Sequence, residues 1–513
     1  MARRSSGISS HRQKRLDERG VPKDAWSLCR NPLPPLEVLD EDGLTRIEVT
    51  AFRILEELGL EFQNDRALDL LAANGAKVDR ETRIVRFDRG LIAEFVAKAP
   101  SEFMLHARNP ARNIHLGGNS IVFAPVAGPP NCSDLERGRR PGSLRDLIDL
   151  IKLHHTLQVV HTAGGTVEPL DVPVESRHLD FCYHLSTLSD RVWGARAIGR
   201  TRIDDALKIA EIVHGTDADG LAQRPALFTV INVNSPRRVD FELLNGLMAM
   251  CEANQVSIIT PFTLAGAMSP VTLAGSLAQQ TAEALAVIAF TQMVRAGAPV
   301  IFGGFTSNVD MKSGAPAFGT PEYVKAVSIG GQMARRWKLP YRTSNVTASN
   351  AVDAQAVMES SMSLWASILS HGNFIYHATG WLEGGLTTSF EKVMVDAEMI
   401  SAMRSWLTPI DVSDDALAFE AIAATPPGGH FFGTAHTLAH YQTAFHNPIL
   451  ADIRPFETWR LDGARDATER ASASWKRQLA AYEQPPMEPD RKEALDAFVA
   501  LRRAEIGERG LAA

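Results

Sequence analysis

Between residues 120 and 407 the chain alternates eight times between a short β-rich run and an amphipathic helical stretch, and that period limits it to a parallel α/β architecture. The β-rich runs lie at 121–125, 159–164, 192–197, 227–233, 256–263, 299–305, 340–344 and 373–378, punctuated by Gly, Pro, Asn or Ser. The helical stretches lie at 143–157, 176–188, 202–214, 240–254, 272–296, 320–337, 353–371 and 389–406. Ser143 suits an N-cap, and Thr320 followed by Pro321 places a cap and a first-turn proline together. Eight such units over 120–407 match a (β/α)8 TIM barrel, for which about 250 residues is typical. The competing arrangement is an open doubly wound sheet. No GxGxxG follows the first run, so the barrel is the better reading.

The flanks have another texture. Residues 1–35 read as a flexible, basic N-terminal arm and 36–119 as a helical segment. In the latter, Leu44, Ile47, Ala51, Ile54, Leu55 and Leu58 recur at three- and four-residue steps before Gly59. Residues 408–513 read as a C-terminal helical extension.

A net charge of −7 gives no general attraction to nucleic acid or to an anionic membrane, and no apolar run is long enough to span a bilayer. The arm has no apolar signal core. Cys29, Cys132, Cys182 and Cys251 are scattered without metal-ligand spacing, as expected of a cytoplasmic chain with buried thiols. A chain of this class is also expected to be a homo-oligomer.

Barrel chemistry collects in the loops after the strands. After the sixth run comes a stretch rich in Gly, Ser and Asn that contains Phe305, Ser307, Asn308, Asp310 and Met311. It fits a loop in close contact with a ligand, or a long turn whose glycines serve only backbone geometry. The seventh run delivers Arg342 and Asn345, with Arg342 directed either inward to a ligand or outward to an ion pair. The eighth delivers Tyr376, His377, Trp381 and Glu383; Trp381 suits a pocket wall or a core plug equally.

The common catalytic signatures are missing. His436 and His440 stand four apart, but Thr437, Leu438 and Ala439 between them offer no glutamate for an HExxH site. No strand end carries His-x-His, no GxSxG elbow or P-loop is present, and no metal ligand is assigned.

Taken together, three runs resemble the corrinoid-dependent trimethylamine methyltransferase family. They are Gly303-Gly304-Phe305-Thr306-Ser307-Asn308 through Phe318-Gly319-Thr320-Pro321-Glu322, Asp353-Ala354-Gln355-Ala356, and Gly380-Trp381-Leu382-Glu383-Gly384-Gly385. Gly428-Gly429-His430-Phe431, Trp459, the Asp466 to Arg470 stretch and Trp475 are similar too. The resemblance implies a TIM-barrel enzyme that moves a methyl group from an amine to the cobalt of a corrinoid carried by a small partner protein. The sequence contains no pyrrolysine and so resembles the non-pyrrolysine branch, which points to quaternary amines such as glycine betaine. A quaternary ammonium leaves as a neutral amine when a methyl group is removed, so no general acid is essential.

On this reading Trp381, Phe305 and Tyr376 offer aromatic faces to the cation, and Asp310 or Glu383 adds negative charge. Arg342 or His377 pairs with a substrate carboxylate. Ser307, Asn308, Asp310, Met311 and Asn345 meet the corrinoid or its carrier. A ligand-binding barrel without catalysis, and a methyltransferase with another acceptor such as tetrahydrofolate, are the competing functions.

Overall fold

The computed structural model describes residues 26–511 as an α/β fold around one curled eight-stranded sheet. The arm expected over 1–35 lies outside the described residues up to 25. In spatial order the strands are Cys29–Arg30, Ser120–Phe123, Phe374–Tyr376, Tyr341–Ser344, Val300–Gly303, Val256–Pro261, Leu227–Val233 and Trp193–Gly194. The first pair is antiparallel and all the others are parallel.

Seven of the eight expected β-runs therefore form the parallel sheet, and the run at 159–164 does not. The sheet is correspondingly open rather than a continuous eight-stranded ladder. The cause is local: the Phe123 N–H, which a strand partner's carbonyl would accept, donates instead to the His161 ring at Nδ1 (2.9 Å). Isolated bonds cross the seam, from His161 N to Phe123 O (2.9 Å) and from Ala163 N to Val192 O (2.8 Å), with a single bridge between Ala127 and Thr166 beyond it.

Eight helices occupy the expected stretches, at Leu144–Thr156, Arg177–Leu188, Arg200–His214, Phe241–Glu252, Leu273–Val294, Pro321–Arg336, Ala354–Leu369 and Phe390–Leu407. Their N-termini follow capping chemistry. Ser143, Asp240, Thr320, Asp353 and Ser389 each accept a first-turn N–H. The Leu273–Val294 helix is buried on nearly all sides, because the sheet covers one face and the N-terminal segment another.

That N-terminal segment is more mixed than its helical periodicity suggests. Besides helices at Glu41–Arg53, Asp65–Ala73 and Arg89–Val96 it holds five strands of three residues, too short for a period of two to register. Two of them, Phe103–Leu105 and Ile114–Leu116, form a hairpin with a decisive position. Leu105, Ile114 and Leu116 share one apolar cluster with Val122, Val192, Phe228, Val256, Ile258, Ile301 and Phe374 from the inner face of the sheet. His106 N also bonds Pro225 O, just ahead of the Leu227–Val233 strand. The hairpin plugs the end where the strands begin, which leaves the end where they finish for a ligand.

The C-terminal region docks by two helices. Trp475 of Ala467–Ala480 packs on Phe390 (4.7 Å between centroids) and donates to Glu391 (2.9 Å). Arg502 of Pro489–Arg509 pairs with Asp205 (2.7 Å), which also accepts from His178 (2.9 Å). Among the described residues no helix is long and apolar enough to cross a membrane.

Burial holds several histidines neutral. Desolvation pushes His154 and His214 down to about 4, and His161 well below its ordinary range. The unfolded chain binds protons at these positions near pH 6.5 and the native protein does not, so stability falls as pH drops from 6.5 toward 4. Each group contributes up to about 1.4 kcal/mol per pH unit in that window. Urea midpoints measured at half-unit steps between pH 7 and 4.5 are expected to fall progressively; a flat profile contradicts the neutral assignment.

Candidate functional site

Strand register decides where the interior side chains point. Gly303 pairs with Arg342 and Arg342 with Phe374, so Arg342 shares the inner face with Phe374. Gly303 is small for a reason: a Cβ there would lie 2.5 Å from the Thr260 hydroxyl. The Arg342 guanidinium lies 5.1 Å from the Phe305 ring centroid and 5.5 Å from that of Tyr376. It is 2% exposed, and among the described residues Nε and Nη1 have no hydrogen-bond partner. Burial draws its pKa down to about 10, opposed by the fields of Tyr323, Tyr376 and Tyr341. It is thus a charged group at neutral pH, surrounded by aromatic rings, with donors left open for an anion.

Phe305 is the hub of the aromatic group. It stacks on Phe262 at 5.3 Å and meets Phe318 edge-on at 5.2 Å, with Trp381 at 6.0 Å and His377 at 6.1 Å. His377 lies 4.4 Å from both Tyr376 and Trp381. Burial, with the Arg342 charge adding to it, keeps His377 neutral, and its Nδ1 lies 3.3 Å from the Ser344 hydroxyl.

The loops after the last two strands are bound to each other. Trp381 Nε1 donates to Thr347 O (3.1 Å), and Gly384 N donates to the same carbonyl (3.0 Å). Glu359 accepts from Thr347 Oγ1 and Ala348 N, while Asp396 accepts from Gly380 N (2.8 Å). Asp396 is itself paired with Lys392 inside the last sheet-flanking helix, both groups fully buried.

A cavity of about 270 Å³ opens over the strand ends. Phe181, Arg196, Phe228, Asn232, Tyr376 and His377 are among its lining residues. Arg196 lies over the Phe181 ring at 4.4 Å and is ion-paired with Glu168. The cavity thus holds one neutralised cation and several aromatic faces, and Tyr376 connects it to the unpaired guanidinium of Arg342.

Residues 4–507 match the trimethylamine methyltransferase (MTTB) family. The chain belongs to that family. It is 36% identical over 478 residues to a glycine betaine methyltransferase of Desulfitobacterium hafniense (strain Y51), covering 93% of this chain and 99% of that protein. A trimethylamine methyltransferase MttB of Desulfitobacterium hafniense (strain DSM 10664 / DCB-2) is 28% identical over 442 residues, 84% of this chain and 87% of its own length. A proline betaine:corrinoid methyltransferase of Eubacterium limosum is 26% identical over 467 residues, 88% and 94% of the two chains.

In this family member the residues singled out from the sequence separate into groups. Tyr376 and His377 line the cavity. Phe305, Trp381 and Arg342 pack together and are buried. Glu383 is engaged elsewhere, in an ion pair with Arg139 at 2.9 Å. Ser307 is buried and donates to Ala317 O, and Asn308 accepts from Thr320 Oγ1 (3.1 Å). Ser307–Val309 pairs with Pro316–Ala317 as a small hairpin. Its tip carries Asp310, which accepts from Ser313 (2.6 Å), and Met311, which is 69% exposed. Asn345 is fully buried and donates to Ala378 O (3.0 Å).

Sequence reasoning missed Arg196, Phe228 and Asn232. The strand-end rule could have found Arg196, three residues past Trp193. His436 and His440 come together with Asp415, but none of the three lines the cavity.

An unpaired buried cation destabilises the fold that holds it, whereas a cation that holds the fold together does the opposite. Arg342→Met is therefore expected to leave the thermal midpoint unchanged or to raise it. A drop of more than a few degrees would show that Arg342 serves the scaffold.

Proposed function

We propose that this protein transfers a methyl group from a quaternary amine bearing a carboxylate, of the glycine betaine kind, to the Co(I) of a corrinoid carried by a separate protein. The observation that carries the proposal is Arg342. A buried guanidinium with open donors and no acid beside it is a built acceptor for a carboxylate. Arg196 is less suited, because Glu168 already neutralises it. The family membership and the betaine-specific relatives support the same reading.

The corrinoid, arriving on its carrier, supplies a nucleophile that takes the methyl carbon while the N–C electron pair stays on the amine nitrogen. The amine departs neutral, so the protein has no proton to deliver. Its task is to hold the cation, aim one methyl group outward and exclude water. Arg342 fixes the carboxylate end, and Tyr376 and Phe228 offer ring faces to the ammonium, each worth roughly 0.5–2 kcal/mol. His377, kept neutral, adds no positive charge beside that cation. The exposed hairpin tip at Asp310 and Met311 is the element we assign to contact with the carrier.

The same reading treats the seam at 159–164 as the eighth position of a (β/α)8 barrel, bridged by the His161 and Ala163 backbone donors. It also places the reaction in a reducing, cytoplasmic setting, in keeping with four free, buried cysteines.

The test is a visible-spectrum assay with free Co(I) cobalamin and a panel of glycine betaine, proline betaine, carnitine and choline. Conversion to the methylated spectrum is expected with a carboxylate-bearing substrate, and at least a hundredfold lower kcat/KM with choline. Arg342→Met should abolish that preference by depressing the betaine rate alone. Equal rates on choline and betaine, or a preference that survives the substitution, would sink the assignment of Arg342. No methyl transfer from any compound would favour a binding protein, and transfer to tetrahydrofolate alone would favour a different acceptor.

A further inference from the structure

Of the chain's 15 histidines, His430, His436, His440 and His446 fall close together, and no Lys or Arg occurs between Arg404 and Arg454. The same interval carries Asp411, Asp414, Asp415 and Glu420 just upstream of those histidines. A stretch that combines imidazoles with carboxylates and holds no basic side chain favours a cation that is not the protein's own.

The fold brings three of these groups to one point. His436 and His440 stand four apart on the helix Ala435–His440, capped by Thr434, and so share a face. Asp415 lies on a separate helix, Asp414–Leu417, capped by Ser413. One ligand atom from each of the three residues lies within 4.8 Å of the other two. Both rings turn to the same residue. His436 Nε2 is 3.0 Å from the Asp415 carbonyl oxygen, and His440 Nε2 is 3.1 Å from its carboxylate. Two ligand atoms on one zinc ion, each about 2.1 Å from it, lie at most about 4.2 Å apart, so small side-chain rotations bring all three to bonding distance.

Other forces between these two helices are weak. They have four and six residues, and isolated helices shorter than about 12 residues are marginal in water. Neither buries a residue. The His440–Asp415 pair is 39% and 75% exposed, and an ion pair open to water contributes little.

We propose that Asp415, His436 and His440 bind a divalent transition-metal ion of the zinc kind, which ties Asp414–Leu417 to Ala435–His440. Two imidazoles with one carboxylate favour such an ion over calcium or magnesium, which take oxygen ligands. Three protein ligands leave a tetrahedral ion one position for water. None of the three residues lines the cavity, so the ion joins elements of the fold and stands apart from the methyl-transfer reading. The pattern is hidden in the sequence because the carboxylate comes from 21 residues ahead of His436 and not from between the histidines.

Zinc titration of the full chain, made without a histidine tag and stripped with a chelator, tests the site. One zinc per chain is expected to bind, with a Kd on the order of micromolar or tighter. Asp415→Asn and His440→Ala are each expected to weaken that binding about tenfold or more, with the circular dichroism spectrum retained. The first substitution keeps an acceptor for His440 and removes only the anionic ligand, which separates metal binding from a hydrogen-bonded cross-link. No saturable zinc binding by the unaltered chain overturns the proposal, as does binding unchanged in both folded variants. Should the variants fail to fold, hydrogen exchange on the unaltered chain decides. Amides of 414–417 and 435–440 that gain protection with zinc and lose it with chelator support the site, and protection there indifferent to zinc overturns it.

Discussion

A cation removed from water must find compensation in the protein or in what the protein binds, and the interior of this fold contains three cases that separate the two. Arg191 donates to the carbonyls of His154, His155 and Leu157 at 2.8, 2.9 and 3.1 Å, closing the C-terminus of the Leu144–Thr156 helix. Lys392 has Asp396 and the Ser360 hydroxyl. Among the described residues Arg342 has neither an acid nor a carbonyl, only aromatic faces. The first two are resolved within the fold and serve to join elements. The third is left unresolved, and the surrounding structure bears that cost. On the proposed reading its counter-ion is the substrate carboxylate, with Tyr376 between Arg342 and the cavity.

Holding an unpaired charge in place demands a stiff surround. The loops after the Tyr341–Ser344 and Phe374–Tyr376 strands have it, because the Thr347 carbonyl takes two donors from the Trp381 to Gly384 stretch and Asp396 takes Gly380. Burial pushes the Lys392 amine down and the Asp396 carboxyl up, and the charge of each opposes that shift in the other. The pair stabilises little by itself, since desolvation offsets its attraction. Its contribution is to fix a helix turn against the loop at Gly380, next to Trp381.

The helices could be read in the sequence because caps and a 3.6-residue period are local signals, and all eight sheet-flanking helices fall within two residues of their expected limits. The strand at 159–164 could not, since what breaks it is a ring nitrogen of His161 displacing a carbonyl, and nothing in the run announces that. The site was readable in part. Tyr376, His377 and Arg342 follow from the strand-end rule, but the direction of Arg342 depends on its register with Gly303 and Phe374, a fact of three strands together. Phe228 lies within a buried strand and reads as core. Glu383 looked available because its partner, Arg139, lies 244 residues away. The candidates came from the last three strands, where the motifs are dense, whereas the cavity spans Tyr376 and His377 and the ends of the first four runs.

The two outer surfaces of interest differ in polarity. The hairpin tip around Asp310 is small and polar, with its carboxylate tied into a turn by Ser313 and held below the usual carboxylate range by those hydrogen bonds. A partner can meet such a surface and leave, because water replaces its contacts at little cost. The stretch at 421–451 carries no charged side chain and exposes apolar rings, each of which would contribute on the order of 1.5–3 kcal/mol if fully covered.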